Sequence, residues 1–154
     1  MTTASRAAYK RRVPEGYPYV LEIPTRWADN DVYGHVNNAT YYGYFDTAVN
    51  RHLIERGLLD PAQSPVFGVV VETMCRFHRS LAFPDTIEAG VRVAKIGSSS
   101  VTYELALFRK GDREPAATGH FVHVYVDRGT RRPAAIPSAV RAELEKLRAE
   151  PKVR

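Results

Sequence analysis

The chain has 154 residues, 44% of them hydrophobic, a length and composition that suit one domain with its own packed core. The 22 Lys and Arg against 17 Asp and Glu leave a formal charge of +5, which favours an anionic ligand such as a phosphorylated molecule. One cysteine, Cys75, excludes an intrachain disulfide. No run of about 18 apolar residues, secretory signal, zinc-finger, RNP or helix-turn-helix signature is present, so the expectation is a cytoplasmic protein without membrane or nucleic-acid partners.

Residues 1–16 are predicted as a flexible basic arm, residues 17–137 as a single domain and residues 138–154 as a C-terminal helix and tail. After the turn signal at Pro14-Glu15-Gly16, the run Tyr19-Val20-Leu21-Glu22-Ile23 reads as a first strand. From about Asn38 the period changes. Tyr41, Phe45, Ala48, Val49 and Leu53 recur at helical spacing, Asn37 or Asn38 can cap the start, and Gly57 can close the end of a helix of about 18 residues.

Residues 66–78 alternate as a long strand with Phe67, Val69, Val71, Thr73, Cys75 and Phe77 on one face. Residues 86–96 form a second, led by Ile87, Ala89, Val91 and Val93. A third carries Val101, Tyr103, Leu105 and Leu107, and a fourth Ala117, Gly119, Phe121, His123 and Tyr125, completing a predicted meander. Ser138 can cap a last helix with Val140, Leu144 and Leu147 on one stripe. A long helix after the first strand and four long strands behind it imply an α+β fold whose antiparallel sheet covers the helix. Strands of this length leave an edge that a second copy of the chain can pair with.

The segment Thr25-Arg26-Trp27-Ala28-Asp29-Asn30-Asp31-Val32-Tyr33-Gly34-His35-Val36-Asn37-Asn38 carries the chemistry. It sets a carboxylate, Asp31, just ahead of a helix N-terminus, where unpaired N–H groups and the positive end of the dipole polarise a carbonyl oxygen. A thioester suits such a site, because a thiol with a pKa of about 8.5 departs with little acid help, leaving attack and oxyanion stabilisation as the demands. Asp31 can act as general base or as nucleophile; both need only a carboxylate at short range. Gly34 permits either an unusual backbone conformation or close approach of substrate, and His35 can orient Asp31 or a water. Asp29 reads as a structural brace for the loop or for Arg26. Metal chemistry is not expected: His120 and His123, like Cys75 and His78, are three apart on strands and so point to opposite faces.

Through Asp29-x-Asp31-x-x-Gly34-His35-Val36-Asn37-Asn38, followed by Tyr41, Tyr44, Phe45 and Asp46, the chain resembles the hotdog-fold acyl-CoA thioesterases of the 4-hydroxybenzoyl-CoA thioesterase type. The likeness runs from about Tyr19 to Pro137. It implies a long central helix wrapped by a curved antiparallel sheet of about five strands, with a short C-terminal helix added, and active sites at the interface of a homodimer or homotetramer. It aligns Asp31 with the catalytic aspartate and the Asn38 backbone N–H with the donor to the thioester oxygen. Asp46 is the rival carboxylate, since some hotdog enzymes place their acid there.

The implied substrate is an acyl-CoA, with coenzyme A a part of the substrate and no separate cofactor. Tyr41 can line the acyl pocket. Arg76, Arg79, Lys95, Ser98 and Ser99, near strand ends, are the candidate partners of the coenzyme A phosphates. A non-catalytic acyl-CoA-binding module is the alternative. Its mark would be loss of the carboxylate, which is present.

Overall fold

A computed structural model of the chain describes residues 14–148; the predicted arm before Pro14 and the tail after Arg148 lie outside the described residues. In chain order the elements are β1 (Tyr19–Pro24), α1 (Asn38–Glu55), β2 (Val66–Phe77), β3 (Thr86–Ile96), β4 (Ser100–Arg109), β5 (Ala117–Asp127) and α2 (Ser138–Lys146). The strands form one antiparallel sheet in the order β1-β3-β4-β5-β2. This is the helix and five-stranded sheet that the family resemblance implies. None of the described helices is long and apolar enough to cross a membrane.

Local chemistry sets the bounds of α1. The Asn37 side chain accepts the Ala39 N–H at 2.9 Å, an N-cap worth about 1 kcal/mol. At the other end Gly57 adopts a φ of 71°, with Gly57 N–H donating to Ile54 O and Leu58 N–H to Leu53 O, the paired bonds of a Schellman motif. Between these ends Tyr41, Tyr44, Phe45, Ala48, Val49, His52 and Leu53 are buried, one face at i, i+3, i+4 spacing. That face lies on the inner sheet surface built from Ile87, Ala89, Val91, Val93, Val101, Tyr103, Leu105, Leu107, Ala117, Phe121 and Tyr125. Gly119 allows the close seating: a Cβ there would stand 2.1 Å from the Met74 carbonyl oxygen and 2.8 Å from Phe45.

Three expectations are corrected. The first is the meander, which holds only for β3-β4-β5. Residues 78–85 carry the chain from the end of β2 past the segment before α1, with Val36 N–H on Leu81 O and Phe83 N–H on Asn30 Oδ1, so β2 is left beside β5 and β1 and β2 become opposite edges. The second concerns the faces of β2. The register slips between Val70 and Glu72, and this bulge at Val71 reverses the alternation. Val66, Gly68 and Val70 therefore share the inner face with Thr73, Cys75 and Phe77, while Phe67 and Val69 turn outward, Phe67 lying under the Arg128 guanidinium at 4.7 Å. The third is the cap of α2. Ser138 is the first residue of that helix rather than its cap; Pro137 holds the cap position and no side chain closes it. What fixes α2 instead is packing of Val140 and Leu144, Val93 N–H on Leu147 O, and an Arg141 bond to Gly97 O at 2.6 Å.

One buried group makes the core sensitive to acid. His123, on the inner face of β5, has no partner for Nδ1 among the described residues, and burial lowers its pKa from an ordinary 6.5 to about 4. Between those values the unfolded chain takes up a proton that the folded chain refuses, so stability falls as pH drops. The urea midpoint should therefore decline from pH 7 to pH 5, and decline less in His123→Phe; an equal decline in both proteins would show that His123 is not the group responsible.

Candidate active site

Residues 25–37 join β1 to α1 at the end of the sheet where β2 stops and β3 begins. Thr25 N–H donates to Asp85 O at 3.1 Å and Val36 N–H to Leu81 O at 2.8 Å, fixing both arms of the segment. Within it Asp31 N–H donates to His35 O at 2.9 Å and Gly34 N–H to Asp31 O at 3.1 Å, a tight turn that Gly34 makes with a φ of 83°. Nothing lies within 4 Å of where a Gly34 Cβ would be, so within this chain the glycine serves backbone conformation rather than a close contact.

Asp31 is half-buried. Its Oδ1 accepts the Tyr33 N–H at 2.9 Å, and its Oδ2 lies 3.5 Å from the Asn37 amide nitrogen. Asn37 Oδ1 takes the Ala39 N–H and Asn37 O takes the Thr40 N–H, which leaves the Asn38 N–H at the first helical position with no acceptor among the described residues. The Asp31 carboxylate lines one open cleft of about 620 Å³ together with Trp27, Asn30, Val32, Tyr33, Gly34 and Asn37, the residue just before the unspent donor at the positive end of α1. Its rim is apolar: Trp27 is 77% exposed, Val32 95% and Tyr33 83%.

A model of the thioesterase-like superfamily matches residues 25–144, which begin with this loop. The chain belongs to that family. Among solved structures it is similar to the PA5185 protein of Pseudomonas aeruginosa strain PAO1, at 54% identity over 90% of this chain and 96% of that one, with a TM-score of 0.87. It is also similar to a thioesterase of Thermus thermophilus solved with coenzyme A and Zn, at 31% identity over 89% and 99% of the two chains and a TM-score of 0.74. The YsmA protein of Bacillus subtilis strain 168 is 24% identical over 73% of this chain and 75% of its own length. With this membership the fold is a hotdog fold and the protein a thioester hydrolase.

In the thioesterase chain the sequence-predicted residues fall at both ends of the sheet and in the core between. Asp31 and Gly34 line the cleft, while His35 and Asn38 are the chain neighbours of lining residues Gly34 and Asn37; the exposed His35 contributes its carbonyl to the turn, and its imidazole makes no hydrogen bond among the described residues. Tyr41 lies beneath, buried, its ring on Phe77 at 4.9 Å and its hydroxyl accepting the Leu81 N–H at 3.3 Å. Arg76 and Arg79 are exposed at the same end of the sheet, Arg76 on the outer face beside Glu72 and His120. Lys95, Ser98 and Ser99 lie at the opposite end, where β3 turns into β4, so one chain alone does not bring them to Asp31. Asp46 is exposed on α1 and accepts the Asn50 amide at 2.9 Å. Among the described residues no group of three or more His, Cys, Asp or Glu is placed to hold a metal ion.

The contact that sequence reading missed lies under the loop. Asp29, 3% exposed, accepts the Arg26 N–H at 2.9 Å, two bonds from the Arg26 guanidinium at 3.0 and 3.1 Å, and the Tyr44 hydroxyl at 2.8 Å. Burial alone would raise its carboxyl, but the Arg26 N–H, the Tyr44 hydroxyl and the Arg26 guanidinium together hold it below the usual carboxylate range. Burial first, and then the Asp29 carboxylate, push the Tyr44 phenol up. The bracing of Arg26 was expected. The reach of Tyr44 was not, since an aromatic at helical spacing reads as core, and a buried phenol's need for a partner was the available signal.

The turn at Gly34 yields a direct test. Because a Cβ there meets no neighbour, Gly34→Ala should cost about 1 kcal/mol through backbone strain alone, with Gly34→Asn costing less. A thermal melt of Gly34→Ala indistinguishable from wild type would contradict this.

Proposed function

We propose that the protein hydrolyses the thioester of a small or medium acyl-CoA to the free acid and coenzyme A, with Asp31 as general base and the Asn38 N–H as oxyanion donor. The observation that carries this reading is the Asp31 carboxylate on the cleft, 3.5 Å from the side chain of the Asn37 cap that immediately precedes the unspent N–H of α1. The coenzyme A bound in the Thermus thermophilus relative supports the substrate class. In the reaction Asp31 takes a proton from a water as its oxygen bonds to the acyl carbon. The carbonyl oxygen, now negative, rests on Asn38 N–H. Collapse of that adduct breaks the C–S bond, and the proton held by Asp31 goes to the departing sulfur. The donor and the carboxylate are each worth about 10² or more in rate.

The active unit in this reading is a homodimer. The edge strand β2 spans 12 residues and carries exposed Val70, Val71 and Phe77, an apolar edge with unpaired backbone that a second copy covers by antiparallel pairing. A twofold axis beside β2 also reverses strand direction, so the end bearing Lys95, Ser98 and Ser99 in one subunit comes beside the end bearing Asp31 in the other. The phosphates of coenzyme A then meet Arg76 and Arg79 of the chain that supplies the carboxylate and Lys95, Ser98 and Ser99 of its neighbour.

Free-thiol release over a panel of acyl-CoAs should show turnover by wild type and a loss of about 10² or more in Asp31→Asn, with the fold intact by circular dichroism. Equal rates would move the catalytic role to another group. A single turnover in ¹⁸O-labelled water should put the label in the released acid; label in Asp31 would mean direct attack. Lys95→Ala should raise KM several-fold at unchanged kcat. A mixed dimer carrying Asp31→Asn in one chain and Lys95→Ala in the other should recover a site of wild-type KM, and failure to recover it would place both residues in the same subunit's site.

A further inference from the structure

We infer that the Tyr44 hydroxyl, acting through Asp29, is a positioning device for the reacting carboxylate. The inference rests on the reading of Asp31 as the base.

Two ties run from residue 29 to α1. The Asp29 carbonyl oxygen accepts the Asn37 N–H at 2.9 Å, closing residues 30–36 into a loop whose neck is the N-cap. Val36 N–H on Leu81 O and Phe83 N–H on Asn30 Oδ1 hold the loop to residues 78–85, and the neck bond holds it to the start of α1. The second tie is the Tyr44 hydroxyl on Asp29 Oδ2 at 2.8 Å, which enters from roughly 10 Å further along the helix axis than Asn37. The two bonds end on different atoms of Asp29, its backbone oxygen and its side chain, and so fix an orientation, not only a point. The far side of Asp29 is held by Arg26, through its N–H and its guanidinium, so the carboxylate is gripped between the turn before it and the helix above it. Asp31 follows two residues later and carries no tie to the body of α1 of its own; its Oδ1 is bonded inside the loop to Tyr33 N–H, and its Oδ2 faces the Asn37 side chain at 3.5 Å. Asp29 is therefore the point at which the segment carrying Asp31 is fixed to the body of α1.

The location of the hydroxyl supports this use. Tyr44 is 6% exposed and sits beside Phe45, which fills the adjoining core position without any polar atom. Packing alone would be served by a second phenylalanine, whereas a phenol there has to be bonded or it destabilises the core. Neither Tyr44 nor Asp29 lines the cleft.

The test is a cycle of four proteins, wild type, Tyr44→Phe, Asp31→Asn and the double variant, followed by free-thiol release with each, at high enzyme concentration for the slow ones. Tyr44→Phe should fold, lower kcat about tenfold and leave KM within about twofold, since it displaces a reacting group without altering the cleft wall. In the Asp31→Asn background the same substitution should change the residual rate by less than about twofold, because the group it positions is already gone. Wild-type kcat in Tyr44→Phe would overturn the inference. An equal loss in both backgrounds would also overturn it, identifying a general loosening of the helix start. Wild-type turnover in Asp31→Asn would instead remove Asp31 as base, an outcome separate from either. Should Tyr44→Phe fail to fold, Asp29→Asn breaks the same node from the other side and runs through the same cycle.

Discussion

The hydrogen bond from Asn37 N–H to the Asp29 carbonyl is the contact on which the rest of the site depends. It makes one residue the boundary of two structures. On its C-terminal side Asn37 starts α1, spending its own side-chain oxygen on Ala39 N–H and so leaving Asn38 N–H unspent. On its N-terminal side it closes the loop that holds Asp31. Had the cap been a residue without a side-chain acceptor, Ala39 N–H would compete with Asn38 N–H for whatever acceptor reached the helix start, and the dipole's positive end would be shared rather than directed.

Placement of α1 against the sheet is the next constraint, and it is met by the absence of side chain more than by its presence. Gly119 lets Phe45 and the Met74 carbonyl close to distances no Cβ permits, which lowers the helix onto β5 at about its second turn. From there the helix crosses toward β1, where the His52 ring lies tilted against Tyr19 at 4.6 Å and bonds Glu143 of α2 at 3.2 Å. The diagonal leaves the inner face of β2 lightly covered: Val66, Gly68, Thr73 and Cys75 are half-buried and Val70 is exposed. A sheet surface of that kind on an edge strand is incomplete alone, which ties the helix's angle to the subunit pairing proposed above.

What could be read in the chain beforehand was what is local. The period of Tyr41, Phe45, Ala48, Val49 and Leu53 together with Asn37 and Gly57 delimits α1, because caps and periodicity are properties of neighbouring residues. The inner faces of β3, β4 and β5 are likewise legible from alternation. Alternation misled on β2 because a single inserted residue, Val71, inverts every side chain upstream of it while leaving an equally regular hydrophobic pattern. The path of residues 78–85 was illegible for a different reason. It is directed by the bonds of Leu81 and Phe83 to a segment some 50 residues earlier, and no spacing encodes such a pairing. In the candidate site the same division holds: the loop–helix motif singles out Asp31, Gly34 and Asn38 as candidates, whereas the Tyr44 hydroxyl and the distance of Lys95, Ser98 and Ser99 from the cleft are facts of tertiary placement.

The exposed rim formed by Trp27, Val32 and Tyr33 has a place in the proposed chemistry. A backbone N–H open to water gives an oxyanion little that water does not, and it becomes valuable only in a site from which water is excluded. Three large apolar side chains beside a carboxylate stay exposed at a cost in a free subunit, Trp27 braced edge-on by Phe83 at 5.8 Å. In the proposed reaction an acyl group lying across them would bury that surface and remove water from Asp31 and Asn38 in the same motion. Under that proposal binding energy from the unreactive part of the substrate would be converted into strength at the reacting carbon, and acyl groups that cover the rim would turn over faster than those that merely bind tightly.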